Sequence, residues 1–551
     1  MCQIYKFFSY LCAKYFEYIK TMSKRLLLLL AILTLSFYNV KSEEAFYTGT
    51  TFFTQDDNFF QHTVERGQTV YSIAAMYSVT VDDIYQWNPE SKKVIHVGDV
   101  LKIPQQSSSY IYHTIEPQET LYALAQKYHM KGEDIIAANP GLSTKTFTIG
   151  KIIRIPTNLV TTPIQGGNET TNRSKTNSLL SQSAPVNNVN IIKIALLLPF
   201  GLKEGNTVQN SPKNRMVEYY EGFLLALKDL KKSGISVNLQ VYDIGLGVSE
   251  IPNILKKKEI QDVNLLIGGL YDEQIKLLSR FAKENNIPYI LPLTSQSNEP
   301  INNTYIYQIN TPQPYLYSKA SQAFINKYKG DNIIIVTDET GDSNKKDFIE
   351  LLKQDLQDKA VTYKTVSLGT DFYTNLTAAL SLFQNNVIVP SSDSPETLSK
   401  IAPQLKSILD NQTSYVSISL FGYPAWQAYG TKFSNDFFKL HTTFYTLFYS
   451  DPTSQDTKSF YSTFYKWFSR VLDNNYPKYG MLGYDTGMYF TRLIHTYGSS
   501  FNSHINDIKY KGVQTDFNFE RLNNWGGFIN TNMYLITYNN SDYSISKNLV
   551  K

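Results

Sequence analysis

Two stretches of the chain repeat one another at an offset of 51 residues, and no other feature limits the fold as strongly. The first opens His62-Thr63-Val64-Glu65-Arg66-Gly67-Gln68-Thr69-Val70-Tyr71. The second opens His113-Thr114-Ile115-Glu116-Pro117-Gln118-Glu119-Thr120-Leu121-Tyr122. The match continues through Ala74/Ala125, Tyr77/Tyr128, Asp83-Ile84/Asp134-Ile135 and Asn88-Pro89/Asn139-Pro140. After one inserted residue it closes with Val97-Gly98 and Ile103-Pro104 against Ile149-Gly150 and Ile155-Pro156. Self-similarity of this kind marks one supersecondary unit used twice. A short strand from His62 to Val64 leads into a turn, and Thr69 stands where a helix N-cap belongs. Val70, Ile73, Ala74 and Tyr77 then form one helical stripe. A second short helix starts near Val81, with Asp82 and Asp83 favourably placed in its first turn, and Asn88-Pro89 ends it. Alternation through Val100 and Ile103 predicts a returning strand that pairs with the first. Each unit, over 60–104 and 111–156, is therefore read as β-α-α-β.

By these residues both copies resemble the LysM family, whose modules bind N-acetylglucosamine-containing polymers such as peptidoglycan or chitin. The resemblance implies a shallow groove between the strand-to-helix loop and the helix-to-strand loop. Here those loops are Gly67, Gln68, Thr69 and Val70 with Asn88, Pro89 and Glu90, and Gln118, Glu119, Thr120 and Leu121 with Asn139, Pro140 and Gly141. Backbone N–H and C=O groups in such loops pair with acetamido groups while an apolar wall takes the methyl. The second copy departs from the family where Gln118 replaces the glycine present as Gly67. A β-carbon restricts φ and backbone approach, so the second groove is expected to bind more weakly. His62 and His113 are expected to be structural.

The rest of the chain restricts function further. Its two cysteines, Cys2 and Cys12, precede a basic start at Lys24-Arg25, an apolar run from Leu26 to Phe37, and small residues at Val40 and Ser42. This pattern reads as a secretory signal, with residues 1–42 as extension plus signal peptide and Met22 as a start. The twelve-residue run is short of a bilayer span, so no permanent membrane segment is expected. The mature chain then has no thiol for disulfides, metal ligation or nucleophilic catalysis. Lys+Arg 52 against Asp+Glu 48 argues against a nucleic-acid binder. The implied location is exported: the periplasm or envelope, associated with the wall.

Residues 157–190 are rich in Thr, Asn, Ser and Gln, with Gly166-Gly167, and read as a flexible linker. From Ile191 the pattern changes to buried strands and amphipathic helices in alternation. Strands are read at Ile194–Phe200, Val237–Tyr242, Leu265–Ile267, Tyr289–Leu291, Ile333–Val336, Val387–Val389 and Val416–Phe421. Helices are read at Val217–Lys232, Glu273–Glu284, Phe348–Leu356 and Pro395–Leu409. This is βαβ repetition, hence an α/β fold with parallel, doubly wound sheets, in two lobes separated near Asn310-Thr311-Pro312.

Tyr220-Glu221-Gly222-Phe223, Leu266-Ile267-Gly268-Gly269, Asn286-Ile287-Pro288-Tyr289-Ile290, Thr294-Ser295 and Gly483-Tyr484-Asp485-Thr486 are similar to the type 1 periplasmic-binding-protein fold. Strands at Gly512–Phe519 and Tyr534–Tyr538 would supply its ending. The resemblance, over 191–551, implies a ligand between the lobes at Leu270, Tyr271, Asp272, Thr294, Ser295, Thr337, Asp338 and Tyr423. It also implies that bulk at Leu270 and Tyr271 fills part of the pocket. No HExxH, GxSxG or Walker A pattern occurs, and no catalytic residue, metal ligand or cofactor is assigned. Trp426, Trp467 and Trp525 are expected in the core. The combined reading is a non-enzymatic exported protein that holds wall polymer through its repeats, while the bilobed domain senses a small amino-acid-like ligand or docks a cell-wall synthesis protein. The alternative is a receptor delivering an amino acid or small peptide to a transporter. A wall hydrolase ranks third.

Overall fold

The computed structural model describes residues 59–65, 67–92, 95–106, 109–157, 169–181, 188–204, 212–338, 343–411 and 416–550. The signal segment read at 1–42 lies outside them. Repeat 1 comprises β1 (Phe59–Thr63), α1 (Val70–Tyr77), α2 (Val81–Trp87) and β2 (Val100–Pro104). Repeat 2 comprises β3 (Tyr110–Thr114), α3 (Leu121–Lys127), α4 (Gly132–Ala138) and β4 (Ile152–Pro156). In each, the outer strands pair antiparallel. Helix starts follow the threonines. Thr69 accepts the Ser72 N–H at 3.1 Å while Ser72 reaches back to the Thr69 N–H at 2.9 Å, a reciprocal cap. Thr120 accepts from Ala123. His62 is structural as expected. It lies buried inside β1, bonded to Tyr77 and Gln68 at 2.7 Å each, and His113 is bonded likewise to Tyr128 and Glu119.

The linker reading needs correction over its described part. Residues 169–181 form α5 (Glu169–Ser178) and a further 3-10 turn, lying against repeat 2. Polar composition concealed a short amphipathic face: Thr176, Asn177, Leu179 and Leu180 are half-buried, while Lys175 and Ser178 are exposed.

The remainder forms two α/β lobes. Lobe 1 holds β5 (Ile191–Leu198), β6 (Ser236–Asp243), β7 (Leu265–Gly268), β8 (Tyr289–Leu291), β9 (Ile306–Gln308), β15 (Phe519–Arg521) and β16 (Phe528–Asn530). Lobe 2 holds β10 (Asn332–Thr337), β11 (Tyr363–Ser367), β12 (Asn386–Pro390), β13 (Ile418–Gly422), β14 (Thr443–Thr446), β17 (Met533–Tyr538) and β18 (Ile545–Val550). The sheet orders are β15-β16-β9-β8-β7-β5-β6 and β11-β10-β12-β13-β14-β17-β18. Pairing is parallel except at β15–β16, β14–β17 and β17–β18. Non-consecutive parallel neighbours require helical crossovers, the doubly wound arrangement read from the sequence.

The chain leaves lobe 1 after β9, passes Asn310-Thr311-Pro312, and enters lobe 2 through α8 (Pro314–Tyr328) and α9 (Lys346–Asp358). It later returns to lobe 1 and crosses again between β16 and β17 at Thr531-Asn532. Thr311 donates to the Asn530 carbonyl at 2.6 Å, tying two of the crossings together.

In lobe 1, α6 (Pro212–Lys232) lies against α11 (Tyr479–Tyr497), and the glycines noted in the sequence explain how closely. A Cβ at Gly222 would sit 1.7 Å from the Gly480 carbonyl oxygen, and one at Gly483 2.0 Å from the Tyr219 carbonyl oxygen.

The expected strand at Gly512–Phe519 is absent until Phe519. Residues 513–515 instead turn their N–H groups onto the buried Asp485 carboxylate at 2.8–3.0 Å. Pairing those donors with a buried charge outweighs extending a strand. Of the three tryptophans expected in the core, Trp426 and Trp525 are buried. Trp467 is 55 % exposed, on the outer face of its helix beneath Lys228.

Candidate functional site

The β1-to-α1 loop of repeat 1 is shaped from within. Gly67 takes φ +80°, and the Gln68 carboxamide oxygen accepts the Glu65 N–H at 2.8 Å and meets His62 at 2.7 Å. Burial holds His62 below its ordinary pKa and so favours the neutral ring, with the Gln68 hydrogen bond acting in the opposite direction. Asn88 closes the opposite side. Its amide donates to the Ile84 and Lys102 carbonyls at 2.8 and 2.9 Å and its oxygen accepts the Lys102 N–H, fixing the end of α2 to β2. Gln68, Thr69 and Asn88 thus have their side chains committed to the module's own backbone. What the loop shows outward is the edge of Val70 and the exposed Tyr71 ring.

A cavity of about 330 Å³ opens there. From the sequence candidates it takes Gly67, Gln68, Thr69 and Val70, but neither Asn88, Pro89 nor Glu90. The far wall lies further along, at Ser91, Lys92 and Ile95-His96-Val97, with Tyr71 and Tyr85 on the helices. Asn88, the conspicuous helix-breaking residue that the LysM resemblance put in the groove, is a brace and not a wall of this cavity. The third wall belongs to lobe 2: Pro314 and Tyr317 from α8, and Asp347, Glu350, Leu351 and Gln354 from α9. A Cβ at Gly67 would come within 2.7 Å of the Tyr315 Cα, so this glycine also permits the close approach of α8. The Gln354 Oε1 is buried without a hydrogen-bond partner at this wall. Nothing in a linear reading connects residue 70 to residue 354.

Repeat 2 is disposed differently. Gln118 adopts φ +68°, the left-handed conformation Gly67 uses, so the departure from glycine leaves the turn intact. Glu119 is bound by the Glu116 N–H at 2.8 Å and by His113. Burial opposes its charge, yet those bonds and Lys127 hold the carboxyl below its ordinary range. Asn139 is a fully buried brace to Ile135 and Arg154. Gly141, expected to border the groove, instead donates its N–H to the Asn524 carbonyl of lobe 1 at 2.6 Å.

That contact is part of a larger joint. Arg154 in the middle of β4 is buried with its guanidinium 4.3 Å from the Trp525 ring, and donates to the Met76 carbonyl at 3.2 Å and to Asn302 at 2.6 Å. Asn302 donates in turn to the Ala75 carbonyl at 2.6 Å. Ile301 and Trp525 of lobe 1 share one apolar cluster with the repeat 1 core.

The interlobe candidates fall into two groups. In lobe 1, the Leu270 and Tyr271 N–H groups approach the Gln274 oxygen at 3.3 and 3.4 Å, Asp272 pairs with Lys276 at 2.8 Å, and the Tyr271 ring stays 39 % exposed. The Tyr271 ring is therefore partly covered and partly open to solvent. Thr294 accepts the Gln296 N–H, and Ser295 is half-buried beside it. In lobe 2, Thr337 ends β10 and Asp338 follows it, its N–H donating to Ser391 at 3.2 Å. Tyr423 is fully buried with its hydroxyl on the Pro390 carbonyl at 2.5 Å, which removes it from any ligand surface. Nearby, Lys345 pairs with Asp393 at 2.8 Å, both almost buried, and reaches Gln313 at 3.0 Å. Lys345 and Asp393 carry no motif and were not singled out in the sequence.

Among the described residues, no cluster of three or more His, Cys, Asp or Glu side chains is arranged for a metal, and no helix is long and apolar enough to cross a membrane.

Residues 62–104 and 113–156 each match the family model for the LysM domain. A similar protein is YdhD of Bacillus subtilis, named as a sporulation-specific glycosylase. It is 37 % identical over 97 residues, which are 18 % of this chain and 22 % of that one. SsaALP of Staphylococcus aureus, named as an autolysin, is 29 % identical over 90 residues, covering 14 % of this chain and 34 % of that one. The matches thus span about a fifth and about a third of those relatives. The secreted LysM effector ELP2 of Colletotrichum higginsianum is 28 % identical over 119 residues, 18 % of this chain and 68 % of that one. Similar solved structures include a leucine-bound ABC transporter substrate-binding protein from Desulfitobacterium hafniense, with TM-score 0.41 and 13 % identity. It covers 65 % of this chain and 99 % of that one. A branched-chain amino acid ABC transporter protein from Rhodospirillum rubrum gives TM-score 0.48 at 12 % identity, over 65 % and 100 % of the two chains. The two small modules at 62–104 and 113–156 are members of the LysM domain family.

Proposed function

We propose that the protein is a non-enzymatic, exported wall-binding protein whose repeat 1 cavity takes an N-acetylglucosamine-containing strand of peptidoglycan or a related polymer. The observation that carries this reading is the open cavity between the two LysM loops, with the Gly67–Val70 turn on one side and Tyr71, Tyr85 and Ile95 on the other. Such a surface offers hydrogen bonds to acetamido groups and apolar faces to the sugar rings. The lobe 2 wall adds acceptors suited to sugar hydroxyls, including the unpaired Gln354 oxygen. The bilobed domain is then the part that senses a small ligand or docks a cell-wall partner, held at the polymer by repeat 1.

The full chain is expected to co-sediment with insoluble peptidoglycan and to bind chitotetraose. Tyr71→Ala and Gln354→Ala should each weaken the oligomer by roughly tenfold, the loss of about 1.4 kcal/mol of contact energy. A folded full chain that ignores both ligands would refute the reading.

A further inference from the structure

The two repeats present equivalent grooves to different neighbours. Val70, Tyr71, Tyr85 and Ile95 line the open cavity in repeat 1. Their counterparts in repeat 2 are Leu121, Tyr122 and Ile136 at the offset of 51, and Phe147 beyond the inserted residue. Leu121, Ile136 and Phe147 share an apolar cluster with Leu179 and Leu180. The Tyr122 N–H donates to the Asn177 carboxamide oxygen at 3.0 Å, and the Thr144 N–H donates to the Leu180 carbonyl at 3.2 Å.

We infer that the strap 169–181 is the resting occupant of repeat 2, a peptide stand-in for an N-acetylated sugar that competes with the wall polymer for that groove. This rests on the glycan-binding reading of the LysM pair. The chemistry corresponds group by group. A side-chain carboxamide oxygen accepts from main chain as an acetamido oxygen does, and leucine side chains cover the apolar wall that a sugar's methyl and ring face would cover. The sequence explains why only repeat 2 accepts the strap. Repeat 1 has Val81 where repeat 2 has Gly132. A Cβ at Gly132 would lie 2.5 Å from the Thr176 methyl and 3.3 Å from a Leu179 methyl. The glycine opens the space through which the strap enters.

A strap tethered within the same chain acts at an effective concentration of about millimolar, which a weakly held sugar in dilute solution does not displace. The resting chain therefore offers one free sugar site, not two. Calorimetric titration of the full chain with chitotetraose tests this, alongside two variants: Asn177→Ala/Leu179→Ser/Leu180→Ser, which strips the strap's contacts, and Gly132→Val, which restores the repeat 1 residue and leaves the strap sequence untouched. Wild type is expected to take one equivalent and each variant two, with amide exchange at Tyr122 and Thr144 accelerated in the variants before sugar is added. Two equivalents in wild type, or one in every form, overturns the self-occupied groove while leaving repeat 1 as a sugar site. Uptake by no form would bring down the glycan reading itself.

Discussion

At the residue scale, the side chains that look most like ligands are mainly braces. Asn88 and Asn139, conspicuous in the repeat, hold helix ends to strands, and Gln68 and Glu119 close their own turns. Two buried carboxyls have pKa values raised by burial. Burial raises Glu218 on α6 to about 7 against the Asp473 N–H bond and Arg470, with Asp473 and Glu221 adding to the rise, and Lys478 also lies near. One of its oxygens is buried without a partner, as suits a protonated acid. Burial likewise raises Asp485 to about 6. A raised folded-state pKa means that the folded protein binds the extra proton. The stabilisation is complete below the unfolded pKa of about 4.5 and is lost as pH rises through about 7. For Glu218 the change is at most about 3 kcal/mol. Between pH 4.5 and 7.5 the urea midpoint of the wild type should therefore fall relative to that of Glu218→Gln. Superimposable pH slopes for the two proteins would contradict the assignment.

At the element scale, contacts of α6 with α11 and of repeat 2 with lobe 1 depend on a few positions. Gly222→Ala places a methyl carbon against the Gly480 carbonyl, a backbone atom that cannot rotate away, so the helices must separate. A loss of at least about 2 kcal/mol is expected, read as a lower urea midpoint. Arg154→Ala removes the cation over Trp525 and leaves Asn302 and the Met76 carbonyl short of a donor. That should cost about 2–4 kcal/mol at the joint. In calorimetry the repeats should then melt ahead of the lobes, and a single unchanged transition would show that Arg154 does not couple them. The strap belongs to this scale too. Its helical face, Thr176, Asn177, Leu179 and Leu180, was present in the sequence but hidden by average composition.

At the scale of the whole molecule, repeat 1 is wedged against both lobes, through Asn302 and Trp525 on one side and Tyr315 and α9 on the other. On the proposed function a sugar in that cavity would touch lobe 2 directly, and Glu350→Ala, remote from the LysM loops in sequence, is then expected to weaken chitotetraose several-fold in the full chain. An unaltered isotherm would leave α9 as a bystander. The two βααβ modules, the histidine and threonine braces, and the doubly wound lobes with their crossing at Asn310–Pro312 are legible along the chain. Each of these follows from local pattern: a repeat, a helical stripe, a capping residue or a run of buried strand. The open cavity of repeat 1, its α9 wall and the burial of Tyr423 emerge only from the folded chain. Those outcomes depend on surfaces meeting across hundreds of residues, where van der Waals fit and the pairing of buried polar groups choose among alternatives that periodicity leaves equal.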